Sequence, residues 1–289
     1  MISALFTKEK NSNLFSYLKR IFRYYQEDFL YVKRIHELEK IIRHDDMTTL
    51  FQPIINLQTN ETFGFEALNR PTHSTIFPST DQFYDFVGKT DLVFKFERFC
   101  RHLSISRFLE RIEHKFQHNQ FVLFINIHPH VLLDKNYSIG ETRQLLKELN
   151  LSPENVVFEL TEKSAVTDFQ EFKRVLDHYR NQGYRIAIDD VGSGYNSLKS
   201  LVYLKPEFVK IDRTLIQHID TTEPSQQIVS LIHNFAEQSG SKIIAEGIER
   251  IEEIQFLQKM GIHYGQGYAI GRPNTEVELG GFQNNIRQV

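Results

Sequence analysis

Cysteine is almost missing from this 289-residue chain: Cys100 is the only one. An intramolecular disulfide is therefore excluded, as is a zinc site built from several thiolates, and a reducing compartment is the plain expectation. An excess of one charge is missing too. Lys and Arg total 34 against 37 Asp and Glu, so no global bias points to a nucleic-acid duplex or an anionic membrane. Long apolar runs are also lacking. The stretch FVLFINIHPHVLL (121–133) falls short of the ~18 residues that span a bilayer, and it contains a proline and two histidines. The opening MISALFTKEK lacks the apolar core of a secretory signal. The expectation is a cytoplasmic protein with no transmembrane segment.

What is present divides into two parts. Residues 1–45 form one segment. From Asn13 to Arg43 there is no proline or glycine, and Leu14, Leu18, Ile21, Tyr25, Val32, Ile35 and Ile42 recur at steps of four and three. Such spacing predicts a helix. It packs on the main domain, or couples or dimerises the protein, or lies on a membrane. The acids Asp28 and Glu39 interrupt the apolar seam and favour packing or dimerisation.

Residues 46–289 alternate short apolar runs with helix-like stretches. FQPIINL (51–57), TFGFEAL (62–68), FVLFINI (121–127), NVVFELT (155–161), RIAIDD (185–190), FVKID (208–212), KIIAEGI (242–248) and GQGYAIG (265–271) read as strands. The stretches 168–183 and 225–240 read as helices, each closed by a glycine. Eight strands with helices between them fit an α/β fold of the (β/α)₈ kind, a TIM-like barrel. Only the turn-like QTNE separates the first two strands, so they pair antiparallel.

The strands end in a recurring way. Glu66, Asn126, Glu159, the pair Asp189 and Asp190, and Glu246 each close an apolar run, and Gln266 opens the last one. Carboxyl ends of parallel barrel strands meet on one face. Five carboxylates and an amide in one pocket suit Mg²⁺ or Mn²⁺. Lys210 lies within an apolar run and shares a face with Asp212, two residues on. A single acid at a strand end is an ordinary helix cap or loop residue; recurrence on successive strands argues for a site. Two cations held this way activate water against phosphate esters.

These residues carry a family resemblance. Glu66-Ala67-Leu68, followed in order by FINIHP, FELTE, IAIDDVGSGYNSL, FVKIDRTLI, IIAEGIE and GQGYAIGRP, resembles the EAL-domain phosphodiesterases from about Thr48 to Pro273. The resemblance implies a barrel with an antiparallel first strand, hydrolysis of cyclic di-GMP to linear pGpG, and two Mg²⁺ or Mn²⁺ ions. It implies that Glu66, Asn126, Glu159 and Asp189 hold one metal. Asp189 bridges to a second, beside Asp190 and Glu246. It further implies that Lys210 orients the attacking water, Glu249 assists at the second metal, Glu162 anchors the loop after Asp190, and Gln266 supports the site. Arg70 matches the phosphate-binding arginine, with Gln52 and Asp212 as further substrate contacts. A homodimer follows by the same analogy; apart from it, a regulatory protein partner is expected at the N-terminal helix, residues 1–45. The alternative is a silent receptor that binds cyclic di-GMP and acts through a partner. Departures are Asn69 after EAL, Val191 for the usual phenylalanine, and His128 after Asn126; none removes a ligand. Cys100 reads as packing, and His128 and His130 read as surface residues.

Overall fold

A computed structural model describes residues 28–72, 74–113, 115–117, 119–127, 141–161, 169–193 and 197–282. Its contacts divide the chain into two compact units, Met1–Met47 with Pro71–Thr90 and Thr48–Arg70 with Asp91–Val289. The N-terminal segment thus shares its unit with an excursion that leaves the barrel after its second strand.

In the first unit, helix α1 (residues 28–44) and helix α2 (Thr80–Val87) meet through aromatic side chains. Tyr31 sits edge-on to Phe86 with centroids 5.6 Å apart, and the Arg34 guanidinium lies 5.4 Å from the Phe77 ring. Ser79 caps α2 by accepting from the Gln82 N–H, which satisfies one of the unpaired donors of the first turn. Of the helical spacing predicted for residues 13–43, the described part begins at Asp28. There Leu38 and Ile41 are buried, while Phe29, Leu30, Tyr31 and Val32 stay exposed.

The second unit is a closed barrel in the order β1 to β8. The strands are β1 (Met47–Asn56), β2 (Glu61–Pro71), β3 (Val122–Asn126), β4 (Val156–Thr161), β5 (Arg185–Val191), β6 (Phe208–Ile211), β7 (Lys242–Ala245) and β8 (Tyr264–Gly265). From β2 to β8 every neighbouring pair is parallel, whereas β1 runs antiparallel to β8. The irregular start expected from the four-residue QTNE turn is therefore present, with Asn60 left-handed at φ 58°.

Described helices outside the barrel are α3 (Val93–Ile112), α4 (Glu141–Glu148), α5 (Phe169–Arg180), α6 (Ser197–Leu204), α7 (Arg213–Ile216), α8 (Glu223–Ser239) and α9 (Ile251–Lys259). Gly240 ends α8 in the left-handed conformation, as its place in the sequence suggested. Helix α5 stops at Arg180, and Gly183 lies in the turn beyond. One strand expectation needs correction: GQGYAIG is not a strand over 265–271. Pairing ends at Gly265 because Ile248 and Gly267 then take over the backbone hydrogen bonds of a loop.

The barrel interior is apolar at one level. Ile54, Val122, Phe124, Val157, Ala187, Phe208 and Ile244 form one buried cluster, with Phe63 and Tyr264 packed against it. One pleat further on, toward the carboxyl ends of β2 to β8, the inward residue on strand after strand is polar: Gln52, Asn126, Glu159, Asp189, Lys210, Glu246 and Gln266. The period of two in a strand places both sets on the same face. Phe208 and Lys210 illustrate it within one four-residue strand.

Candidate active site

Lys210 is the centre of this polar layer. Its side chain is 1% exposed, and Nζ lies 2.8 Å from Glu159 Oε1, 2.8 Å from Glu246 Oε1, 3.4 Å from Glu66 Oε2 and 3.4 Å from Asp189 Oδ1. One ammonium thus faces four carboxylates, and such a set is strongly anionic unless protons or further cations join it. Burial alone would push the Lys210 ammonium down, but Asp189, Glu159, Glu246 and Glu66 together hold it well above the ordinary lysine range. Burial pushes Glu159 well up, with Glu66 and Asp189 adding to it against Lys210. Burial and Asp189 do the same to Glu246. Glu66 goes the other way. Burial works against its charge, but Lys210 and hydrogen bonds from Gln266 and Asn126 outweigh it and bring the carboxyl below its usual range.

The amides orient Glu66. Asn126 Nδ2 donates to Oε1 at 3.0 Å, and Gln266 Nε2 donates to Oε2 at 2.7 Å and to Gln52 Oε1 at 3.1 Å. Gln52 Nε2 in turn donates to the Gly271 carbonyl. Asn126 pairs in register with Glu159 on the neighbouring strand, which explains how residues distant in sequence converge.

The adjacent aspartates are brought together by an irregularity. The β5–β6 register shifts between Ile188 and Val191, and Asp190 takes a left-handed φ of 59°. A regular strand would send the two side chains to opposite faces. Here Asp190 donates its N–H to Asp189 Oδ1 at 2.9 Å, and both acids join Glu246 within ligand distance of one another. Gly192 follows at φ 105°, where a Cβ would run into Leu215, so the turn requires glycine.

The residues fit a divalent pair. Glu66, Glu159 and Asp189 form one group with ligand atoms within 4.8 Å of each other, and Asp189, Asp190 and Glu246 form another. Asp189 belongs to both. Glu159 Oε2 is buried with no hydrogen-bond partner, a costly state for a carboxylate that a hard cation would relieve.

The remaining expected residues are placed less uniformly. Arg70 is exposed at the end of β2, on the strand that carries Glu66. Asp212 caps α7, accepting from the Thr214 N–H at 2.9 Å. Glu249 is half-exposed and turned to Arg213, 3.4 Å away, so it is not among the residues gathered around Lys210. Glu162, His128 and His130 lie outside the described residues. Cys100 is buried, as expected. Two buried acids among the described residues escaped notice in the sequence, Glu97 in α3 and Glu253, the latter 1% exposed in the first turn of α9. The signal for Glu253 was an acid at the third helical position, masked by an arginine where a capping Ser, Thr or Asp usually stands.

A third group, His233, Glu237 and His263, also lies within ligand distance. The Ile243 N–H donates to His263 Nδ1, and Nε2 lies 2.9 Å from Lys242 Nζ and 3.0 Å from Glu237 Oε1. Burial and the nearby Lys242 ammonium hold His263 below its ordinary value. The Lys242 ammonium beside Nε2 opposes a cation at that atom.

Fold and site together define a (β/α)₈ barrel with an acidic, lysine-centred site at the carboxyl ends of its strands. The model of the EAL domain family matches residues 35–273, and the chain belongs to that family. It is 29% identical over 234 residues to the probable cyclic di-GMP phosphodiesterase PdeB of Escherichia coli K12, covering 81% of this chain and 44% of that protein. A standalone versatile EAL protein from Vibrio cholerae O395, solved in a c-di-GMP-bound form, superposes with a TM-score of 0.70 at 29% identity, covering 81% of this chain and 94% of that one. Klebsiella pneumoniae BlrP1, solved at pH 6 as a manganese and cyclic di-GMP complex, gives a TM-score of 0.70 at 27% identity, covering 82% and 58%. The chain spans 20% and 44% of the length of the first two curated relatives it matches. Among the described residues no helix is long and apolar enough to cross a membrane.

Proposed function

We propose that this protein hydrolyses cyclic di-GMP to linear pGpG with two divalent cations, Mg²⁺ or Mn²⁺. The observation that carries the reading is the four-carboxylate shell around Lys210, with Asp189 common to two ligand groups and Glu159 Oε2 unpaired. Relatives described as cyclic di-GMP phosphodiesterases, and the manganese complex of BlrP1, support it. In this reading Glu66, Asn126, Glu159 and Asp189 hold one cation, and Asp189, Asp190 and Glu246 the other. Cations held by these residues would supply charge neutralisation of the phosphate and a water of lowered pKa.

The chain's own residues do the rest. Lys210 would donate from Nζ to the attacking water. Asn126 and Gln266 fix Glu66 by donating to its two oxygens. Arg70 offers its fork to a phosphate oxygen pair, and Gln52 and Asp212 contact the nucleotide. Glu249 reaches the second cation only after leaving Arg213. Glu162 anchors the loop that follows Asp190. The reading includes a homodimer, a regulatory partner at residues 1–45 and a cytoplasmic location.

The test is hydrolysis of cyclic di-GMP by purified protein with Mg²⁺ or Mn²⁺, beside Glu66→Ala and a chelator. Linear pGpG formed only with metal and intact Glu66 supports the enzyme. Tight binding without turnover makes the protein a receptor instead. A solution scattering mass of one chain at assay concentration removes the dimer.

A further inference from the structure

The loop after β7 carries Glu246 and Glu249, and the segment after β6 carries the chain away from Lys210. A single buried carboxylate ties the two together. Glu253 Oε2 accepts from the N–H groups of Glu249 at 2.9 Å and Arg250 at 3.1 Å. Its Oε1 accepts from the His218 N–H at 2.8 Å, across from the segment that joins α7 to α8. His218 is left-handed at φ 57°, which presents its N–H to the carboxylate. Around this point the Arg250 guanidinium forks onto Asp220 with both distances at 3.2 Å, and Arg213 reaches Glu249.

A helix-capping glutamate usually returns to one N–H of its own helix start. Glu253 satisfies that donor, the one before it, and a third from another βα segment, while itself 1% exposed. Burying a carboxylate is costly, and here three backbone dipoles offset the cost only if both loops keep their places. Lys210, on the strand before one segment, contacts Glu246, at the start of the other, at 2.8 Å.

We infer that Glu253 is a positioning residue: it clasps the loops after β6 and β7 so that Glu246 stands where the second cation would be held. The inference rests on the reading of Glu246 as a metal ligand. The variants Glu253→Ala and Glu253→Gln and the outer variant Arg250→Ala test it. Glu253→Ala is expected to weaken Mn²⁺ binding, read by calorimetry without substrate, by about 10–100-fold, the scale for groups that orient metal ligands. It lowers kcat with little change in KM, and speeds amide exchange at Glu249 and Arg250 in the metal-free protein. Glu253→Gln keeps one acceptor oxygen and sets its –NH2 against the donors of the other loop, so it holds one loop only and recovers the affinity only in part. A folded Glu253→Ala protein with unaltered Mn²⁺ binding overturns the inference. If that variant does not fold, Arg250→Ala decides: faster exchange at Glu249 with unchanged Mn²⁺ affinity also overturns it. Should the parent protein bind Mn²⁺ yet leave cyclic di-GMP intact, the hydrolase reading fails while the calorimetric comparison still tests the clasp.

Discussion

Two levels of the same barrel interior, one pleat apart, obey opposite rules. At the lower level Phe124, Val157, Phe208 and Ile244 fill the space with apolar side chains and need no partner beyond each other. At the upper level each residue is polar and its state depends on its neighbours: Glu66 falls below the ordinary carboxyl range while Glu159 and Glu246 rise above it. The lower level is what folds the barrel, because apolar burial stabilises without directional requirements. The upper level opposes folding, because its carboxylates repel across a buried space. The fold tolerates that cost at the mouth, where a ligand can offset it.

Substitutions at the two levels should therefore part company. The largest effect expected is on turnover: Glu66→Ala should cut cyclic di-GMP hydrolysis by roughly 10²–10³-fold, as removal of one fixed electrostatic group does. Its thermal midpoint should hold or rise, read by calorimetric melting. Phe208→Ala, two residues before Lys210, should do the reverse, costing ~3–5 kcal/mol of stability in denaturant unfolding while the folded fraction keeps its activity. Equal losses of both properties in both variants would erase the distinction between the levels.

Lys210→Met sharpens the comparison, because it places an apolar side chain among the acids. Loss of the ammonium leaves the carboxylates unpaired and should destabilise the metal-free protein by ~3–5 kcal/mol. Added Mn²⁺ should restore part of that in a melting experiment.

A smaller effect concerns pH. Glu159 and Glu246 hold their protons above the ordinary carboxyl range in the metal-free protein. Cation binding must displace those protons, so affinity should rise with pH and binding should release protons. Calorimetry in two buffers of different ionisation enthalpy reads this directly; a buffer-independent heat would contradict it.

The smallest effect lies outside the barrel interior, where Tyr184 stacks on Phe158. Burial pushes the phenols of Tyr179 and Tyr184 from 10.0 up to about 12. The folded state keeps them neutral while unfolded tyrosines ionise, so stability present below pH 10 should drain away as pH rises toward about 12. The Tyr184 hydroxyl has no hydrogen-bond partner. Tyr184→Phe should thus be near neutral at pH 7 and flatten the alkaline loss, as followed by denaturant midpoints.

Much of this was legible before any coordinates. Apolar runs ending in Glu66, Asn126, Glu159, Asp189 and Glu246 mark strands whose ends meet in one polar layer, since a period of two leaves little freedom in where such a residue faces. The antiparallel start was legible in a turn too short for a crossover. The end of β8 was not, because GQGYAIG has the composition of a strand and becomes a loop only through hydrogen bonds to Ile248. Nor was the orientation of Asp190, which depends on a register shift against β6.

By itself the sequence determined the alternation of strand and helix and the polar ends of the strands, because these follow from local periodicity. Only the tertiary structure decided that Lys210 stands among four carboxylates, that Glu249 turns to Arg213, and that Glu253 joins two loops. Those arrangements depend on distances between segments far apart in the chain, which barrel closure and its register set.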